Sequence, residues 1–223
     1  MNNKFKELDD FYDEKMDRSP SRYKLLEIIR DYFKGRTSLV GAEIGVFKGA
    51  FSKKINEYIS FDMFHLIDIW DINFPYDGGE TPRKLKTDGY MTHIYEEVVK
   101  EFGGKEKYNI VKQPSNVAVN NFADKYLDFI YIDGNHQTCD EDLRLWYPKL
   151  KPGGIIAGHD YYGKVKTDVD EFFSKKVYVV KSNIPQWIYC SSLDFGRIFK
   201  PNTNTMYKFS QGNIGRLKQI NRV

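Results

Sequence analysis

The feature that most restricts this chain is an alternation. Short apolar runs of strand length recur, separated by stretches with helical spacing. Ser38–Ile44, Met63–Ile69, Tyr108–Lys112, Leu127–Asp133 and Gly154–His159 read as strands. Leu127–Asp133 is a nearly continuous apolar run, as in a central strand covered on both faces. Ala50–Ile59, carrying Phe51, Ile55 and Tyr58, reads as a helix, as does the segment with Leu143, Trp146 and Tyr147. Tyr90–Phe102 is the clearest helix, with Met91, Ile94, Tyr95, Val98, Val99 and Phe102 on one face and Gly103-Gly104 as a stop. Thr138 and Glu141 have the spacing of a capping box. Such strand–helix–strand repeats imply a parallel sheet with helices on both faces. Val165–Phe173 then predicts one more helix, and Val177–Val180 with Trp187–Cys190 a hairpin around Pro185.

Residues 1–18 are charged, with scattered apolar positions, and read as a loose helix or an arm. A firmer helix follows, with Ser19 as N-cap, Pro20 in the first turn, Leu25, Ile28, Ile29, Tyr32 and Phe33 at helical spacing, and Gly35 as its stop. The expected organisation is a helical arm over 1–37, one α/β domain over 38–200 and a tail over 201–223. A chain of 223 residues suits one such domain. Asp71–Gly89, rich in Asp, Gly and Pro, is long enough to be a lid. The 34 basic and 31 acidic residues are interspersed, which implies a solvated surface and no nucleic-acid partner. No apolar run approaches the ~20 residues that span a bilayer, so no membrane partner is expected. Two cysteines, Cys139 and Cys190, lack metal-site spacing and fit a reducing compartment, and the N-terminus lacks an apolar signal, so a cytoplasmic location is expected.

In open α/β sheets, ligands bind beyond the carboxyl ends of the strands. The first strand runs into GAEIGVFKGAFS, where Gly45 and Gly49 let backbone approach a ligand closely before a helix N-terminus. The same residues also suit a tight strand–helix turn with no ligand. The pattern is not G-x-G-x-x-G, because Phe47 stands where the next glycine would be. Glu43 would repel a dinucleotide pyrophosphate, yet could hold a cationic aminoacyl group. An NAD-dependent oxidoreductase is therefore disfavoured. The second strand ends in HLIDIW, and Asp68 lies roughly 20 residues past the glycines, where an acidic side chain receives ribose hydroxyls.

With DFIYIDGNHQ, LRLWYPKLKPGGIIAGHDY and VDEFF added, the chain resembles the class I S-adenosylmethionine (SAM)-dependent methyltransferases. More narrowly, it is similar to the metal-dependent sugar O-methyltransferases of the macrocin and mycinamicin type. The resemblance covers about residues 38–175. It implies a doubly wound, Rossmann-like α/β fold with a mostly parallel seven-stranded sheet and a reversed last strand. It further implies that Asp133 and the pair His159-Asp160 hold a divalent cation, Mg²⁺ or Mn²⁺. His159 departs from the pattern, since the family commonly has a carboxylate there. Asp133 and Asp160 end neighbouring strands, so two carboxylates can converge on a hard cation. In mycinamicin-type relatives a His three residues after the metal Asp is the proposed base. That position here is His136, and the alternative base position two residues after the Asp is Asn135, which cannot take a proton.

The resemblance thus implies a SAM-dependent O-methyltransferase acting on a hydroxyl of a sugar or glycan. Glu43, Gly45, Gly49, Asp68 and Asp133 are the expected cofactor contacts, with Gln113 and Ser115 in the turn that borders the adenine. Tyr161, Tyr162 and the lid would shape the acceptor pocket. A phenolic or other small-molecule acceptor, a SAM-binding module without catalysis, and association into a homo-oligomer remain open at this stage.

Overall fold

The computed structural model describes residues 4–16, 20–71, 88–192 and 206–208. Ser19, nearly all of the expected lid and most of the expected tail lie outside these residues. Two helices, α1 (Lys6–Met16) and α2 (Pro20–Phe33), open the chain. They are followed by β1 (Val40–Ile44), α3 (Ala50–Tyr58), β2 (Met63–Asp68), α4 (Tyr90–Phe102), β3 (Tyr108–Lys112), α5 (Ser115–Ala118) and β4 (Leu127–Ile132). The remainder is α6 (Cys139–Trp146), β5 (Leu150–Gly158), α7 (Gly163–Phe172), β6 (Tyr178–Val180), β7 (Gln186–Cys190) and β8 (Met206–Lys208).

The sheet runs β3-β2-β1-β4-β5-β7-β6-β8. Strands β1 to β5 are parallel, and β7 enters between β5 and β6 antiparallel to both. The reversed seventh strand is the return arm of the expected hairpin, whose five-residue turn contains Pro185. The short eighth strand, which falls within the expected tail, extends the sheet antiparallel to β6.

Period-two alternation divides the core. Phe129 and Tyr131 of β4 face one layer with Leu25, Leu26 and Ile29 of α2, while Ile130 and Ile132 face the other with Leu143 and Trp146 of α6. Helix α2 is thus built into the first layer. Helix α4 buries Tyr90, Met91, Ile94, Val98 and Phe102, and Val99, expected on that face, stands 40% exposed. The helix turns 100° per residue, so Val99 falls beside the buried stripe rather than on it. Gly35 (φ 81) follows the end of α2 as expected. The Thr138–Glu141 capping box does not form. A 3₁₀ turn over His136–Thr138 precedes α6, and the Thr138 hydroxyl donates to the Asn135 carbonyl at 3.2 Å instead.

The order of strands reverses between β1 and β4, which opens a crevice beyond their carboxyl ends. Three non-glycine residues with left-handed backbone stand at strand ends beside it: Phe47 after β1 (φ 50), Trp70 after β2 (φ 42) and Asp160 after β5 (φ 52). Strain of this kind persists where the surroundings fix it, commonly at sites. No helix among the described residues is long and apolar enough to cross a membrane. Cys139 and Cys190 are both free thiols.

Candidate functional site

Because β4 and β5 are parallel neighbours with Ile132 beside Gly158, the residues just past them must meet. They do. His159 Nδ1 lies 3.2 Å from Asp133 Oδ1 and 3.2 Å from Asp160 Oδ1, and His136 Nε2 lies 3.3 Å from Asp160 Oδ2. Asp133, His136 and His159 each offer a ligand atom within 4.8 Å of the others, a mixed nitrogen and oxygen set suited to a divalent cation. His136 belongs to this trio, although its expected role was that of base. Asp160 lies between the two imidazoles, close enough to orient both.

A residue not singled out in the sequence completes the cluster. Arg22 of α2 donates from Nη2 to Asp133 Oδ2 at 2.6 Å. Its guanidinium lies over the Phe51 ring at 4.6 Å, and the residue is only 8% exposed. Its signal was present in the helical period: Arg22 occupies the same face as Leu25, Leu26 and Ile29, where a charge is out of place unless paired.

These contacts set the charges. Burial alone would raise the Asp133 carboxyl, but Arg22 and His159 overcome it and hold Asp133 below the ordinary range. Burial opposes charge on His159 too, yet Asp133 and Asp160 push its pKa up to about 9. These carboxylates favour the imidazolium form of His159, and a cation bound there would take the place of its proton.

Glu43 is 1% exposed and accepts a hydrogen bond from the Ser52 hydroxyl beneath the β1–α3 loop. Its carboxyl stays inside this buried pair and opens onto no surface. Burial raises its pKa to about 8, with nearby Asp133 adding to the rise and Ser52 and Arg22 opposing it. The retained proton gives stability that is fully present below the unfolded value near 4.5 and is lost as pH rises through about 8. Glu43→Gln keeps an acceptor for Ser52 and cannot ionise. Its melting temperature should gain on the parent's by roughly 5 °C as pH passes from about 5 to about 9. A parallel decline of the two proteins would show that Glu43 is charged throughout.

The glycines serve contacts within the protein. At Gly45 (φ 88) a Cβ would lie 2.3 Å from the Asp133 carbonyl oxygen, so only glycine lets the β1 and β4 loops touch. At Gly49 (φ 74) it would lie 2.6 Å from the Phe102 ring. Asp68 is half-buried at the end of β2. Its Oδ2 accepts from the Phe47 N–H at 2.8 Å and its Oδ1 from the Trp70 N–H at 2.9 Å, and the Trp70 indole donates to the Phe47 carbonyl at 2.8 Å. The Ile69 and Val46 N–H groups are also directed at the Asp68 carboxylate, and together these bonds lock the loop's shape.

Gln113 and Ser115, expected in the turn that borders the adenine, are both held by partners within the protein. Gln113 lines a groove of about 590 Å³ along the open edge of β3, where its side-chain oxygen accepts from Asn121 at 3.0 Å. Ser115 donates to Asp142 and accepts from the Trp146 indole at 2.8 Å, so its hydroxyl ties α5 to α6. Tyr161 is buried and donates to Asp170 at 2.5 Å, whereas Tyr162 is 55% exposed.

Residues 42–161 match a family described as a methyltransferase domain. Among solved structures, the chain is similar to spermidine synthase from Thermotoga maritima, at 15% identity and a TM-score of 0.55 over 82% of this chain. It spans 64% of that synthase. A proposed O-methyltransferase from Klebsiella pneumoniae is 11% identical, with a TM-score of 0.55 over 79% of this chain and 83% of its own. A proposed caffeoyl-CoA O-methyltransferase from Staphylococcus aureus is 14% identical, with a TM-score of 0.56 over 85% of this chain and 93% of its own. At such identities the likeness is one of fold. No curated protein matches the chain significantly.

Proposed function

The chain belongs to the methyltransferase-domain family, and from that premise we propose that it transfers a methyl group from SAM to a hydroxyl, with a divalent cation held beside the acceptor. The observation that carries this reading is the convergence of Asp133, His136, His159 and Asp160 at the ends of β4 and β5. Their donor set fits a divalent cation, and Asp133 Oδ1 faces the cluster while Oδ2 is held by Arg22. SAM, when bound, would supply an electrophilic methyl on its sulfonium, and the fold's task is to align the acceptor oxygen with it. A bound divalent cation lowers the pKa of a hydroxyl next to it.

The chain's own residues do the rest. Asp68 fixes the Phe47–Trp70 corner and offers its carboxylate to the ribose hydroxyls. Asp133, His159 and Asp160 would hold the cation. His136, with Nε2 beside the Asp160 carboxylate, is the residue assigned to take the acceptor's proton, an imidazole oriented by a carboxylate. Tyr162, exposed at the start of α7, is a surface on which a sugar or an aromatic acceptor can lie. A sugar or glycan hydroxyl is the acceptor we favour, on the resemblance of the GHDY and DGNH segments to sugar methyltransferases. A phenol is the second reading, on the similarity in fold to a proposed caffeoyl-CoA O-methyltransferase.

Calorimetry tests the cofactor. The protein should bind S-adenosylhomocysteine, the demethylated product, and should not bind NAD, because Phe47 stands where a dinucleotide-binding loop needs its second glycine. Binding of NAD without the adenosyl product would end this reading.

A further inference from the structure

The cation of Arg22 is underused. A guanidinium carries five N–H donors. Among the described residues Arg22 spends one of them, from Nη2 to Asp133. Its Nε is buried without an acceptor, although the residue is more than nine-tenths buried. Leaving such donors unmet in the interior is costly, and natural structures rarely do so. Glu43, a nearby acid, does not answer it: its carboxyl is bonded to Ser52.

A second feature points to the same place. The guanidinium lies over Phe51, in the first turn of α3. That nine-residue helix starts at Gly49, which has no side chain to cap it. The first-turn N–H groups of Ala50, Phe51 and Ser52 have no acceptor within the helix. An uncapped helix start and an unsaturated guanidinium both select a planar anion with several acceptor oxygens. They meet at the β1–β4 crevice, where Gly45 touches the Asp133 backbone.

We propose that Arg22, with the start of α3, binds a carboxylate, that of the methionyl end of the cofactor. This assignment rests on the SAM reading above. It gives α2 a function: the helix carries the residue that fixes one end of the cofactor, while Asp68 fixes the other at the ribose. It also gives the Arg22–Asp133 pair a second purpose, since one guanidinium then bridges the cofactor to the residue that holds the cation.

The test compares two ligands by calorimetry. S-adenosylhomocysteine carries the carboxylate, and 5′-methylthioadenosine has the same nucleoside and thioether without it. Arg22→Gln should bind S-adenosylhomocysteine about 10–100-fold more weakly, the loss expected for hydrogen bonds to a charged group. Its affinity for 5′-methylthioadenosine should not change, which also shows that the variant is folded. Arg22→Lys keeps the charge with fewer donors and should fall between; it carries the same comparison if the Gln variant does not fold. Equal weakening of both ligands, or no weakening of either, overturns the assignment. Unchanged S-adenosylhomocysteine affinity with a raised KM for a carboxylate-bearing acceptor would overturn it too, placing the anion on the acceptor. A parent protein that binds neither ligand would remove the SAM reading itself.

Discussion

Asp133→Asn is expected to slow methyl transfer by about 10³-fold, the scale of losing several kcal/mol of charge stabilisation next to the acceptor. The substitution is nearly isosteric, so Arg22 keeps an oxygen within reach and the loops around Gly45 keep their contact. Arg22 nevertheless loses the charge that opposes it. S-adenosylhomocysteine should therefore bind at least as tightly as to the parent, because a carboxylate at Arg22 no longer competes with Asp133. Affinity for Mn²⁺ should fall in parallel with turnover. Near-parental turnover in this variant would remove Asp133 from the reaction and leave it as a structural partner of Arg22.

His136→Ala should lower the single-turnover rate by about 10²–10⁴-fold, the usual contribution of a general base. The distinguishing readout is Mn²⁺ affinity. His136 lies both in the trio that can bind a cation and beside Asp160, so either role would slow the enzyme. A base can be removed with Mn²⁺ affinity intact, and that is the expected result. A joint loss of affinity and turnover would make His136 a ligand instead. Asn135→Asp in the His136→Ala background offers a carboxylate one residue away. The Asn135 side-chain oxygen caps the following turn by accepting from the Gln137 N–H at 2.9 Å, a bond that Asp preserves, so partial rescue should not be lost to misfolding.

Much of this arrangement was legible in the chain. Parallel order follows from strands separated by helical segments, and parallel neighbours bring their carboxyl ends together, so Asp133 meets His159 and Asp160. What stayed hidden depends on direction. Ser115 and Gln113 sit in the turn expected to border the crevice. Rotation about that turn sends one side chain toward α6 and the other to the β3 edge, and no local pattern records it. Gly45 and Gly49 read equally well as ligand-facing or protein-facing, and their close contacts with the Asp133 backbone and the Phe102 ring come from segments distant in sequence. Glu43 reads as an accessible acid because nothing near it in sequence shows that α2 and α3 close over it. Arg22 was missed because a charged residue in the first turn of a helix normally faces water. Its place on the Leu25, Leu26 and Ile29 face was the contrary sign.

Transfer of a labelled methyl group tests the central claim most directly. The protein would be incubated with SAM bearing a deuterated methyl, a panel of sugars, glycosides and phenols, and Mg²⁺ or Mn²⁺, and the products read by mass spectrometry. The account predicts a deuterated methyl ether on an acceptor oxygen, its formation abolished by EDTA and restored when the cation is returned. Label that appears on no oxygen, or that is transferred undiminished in EDTA, would contradict it.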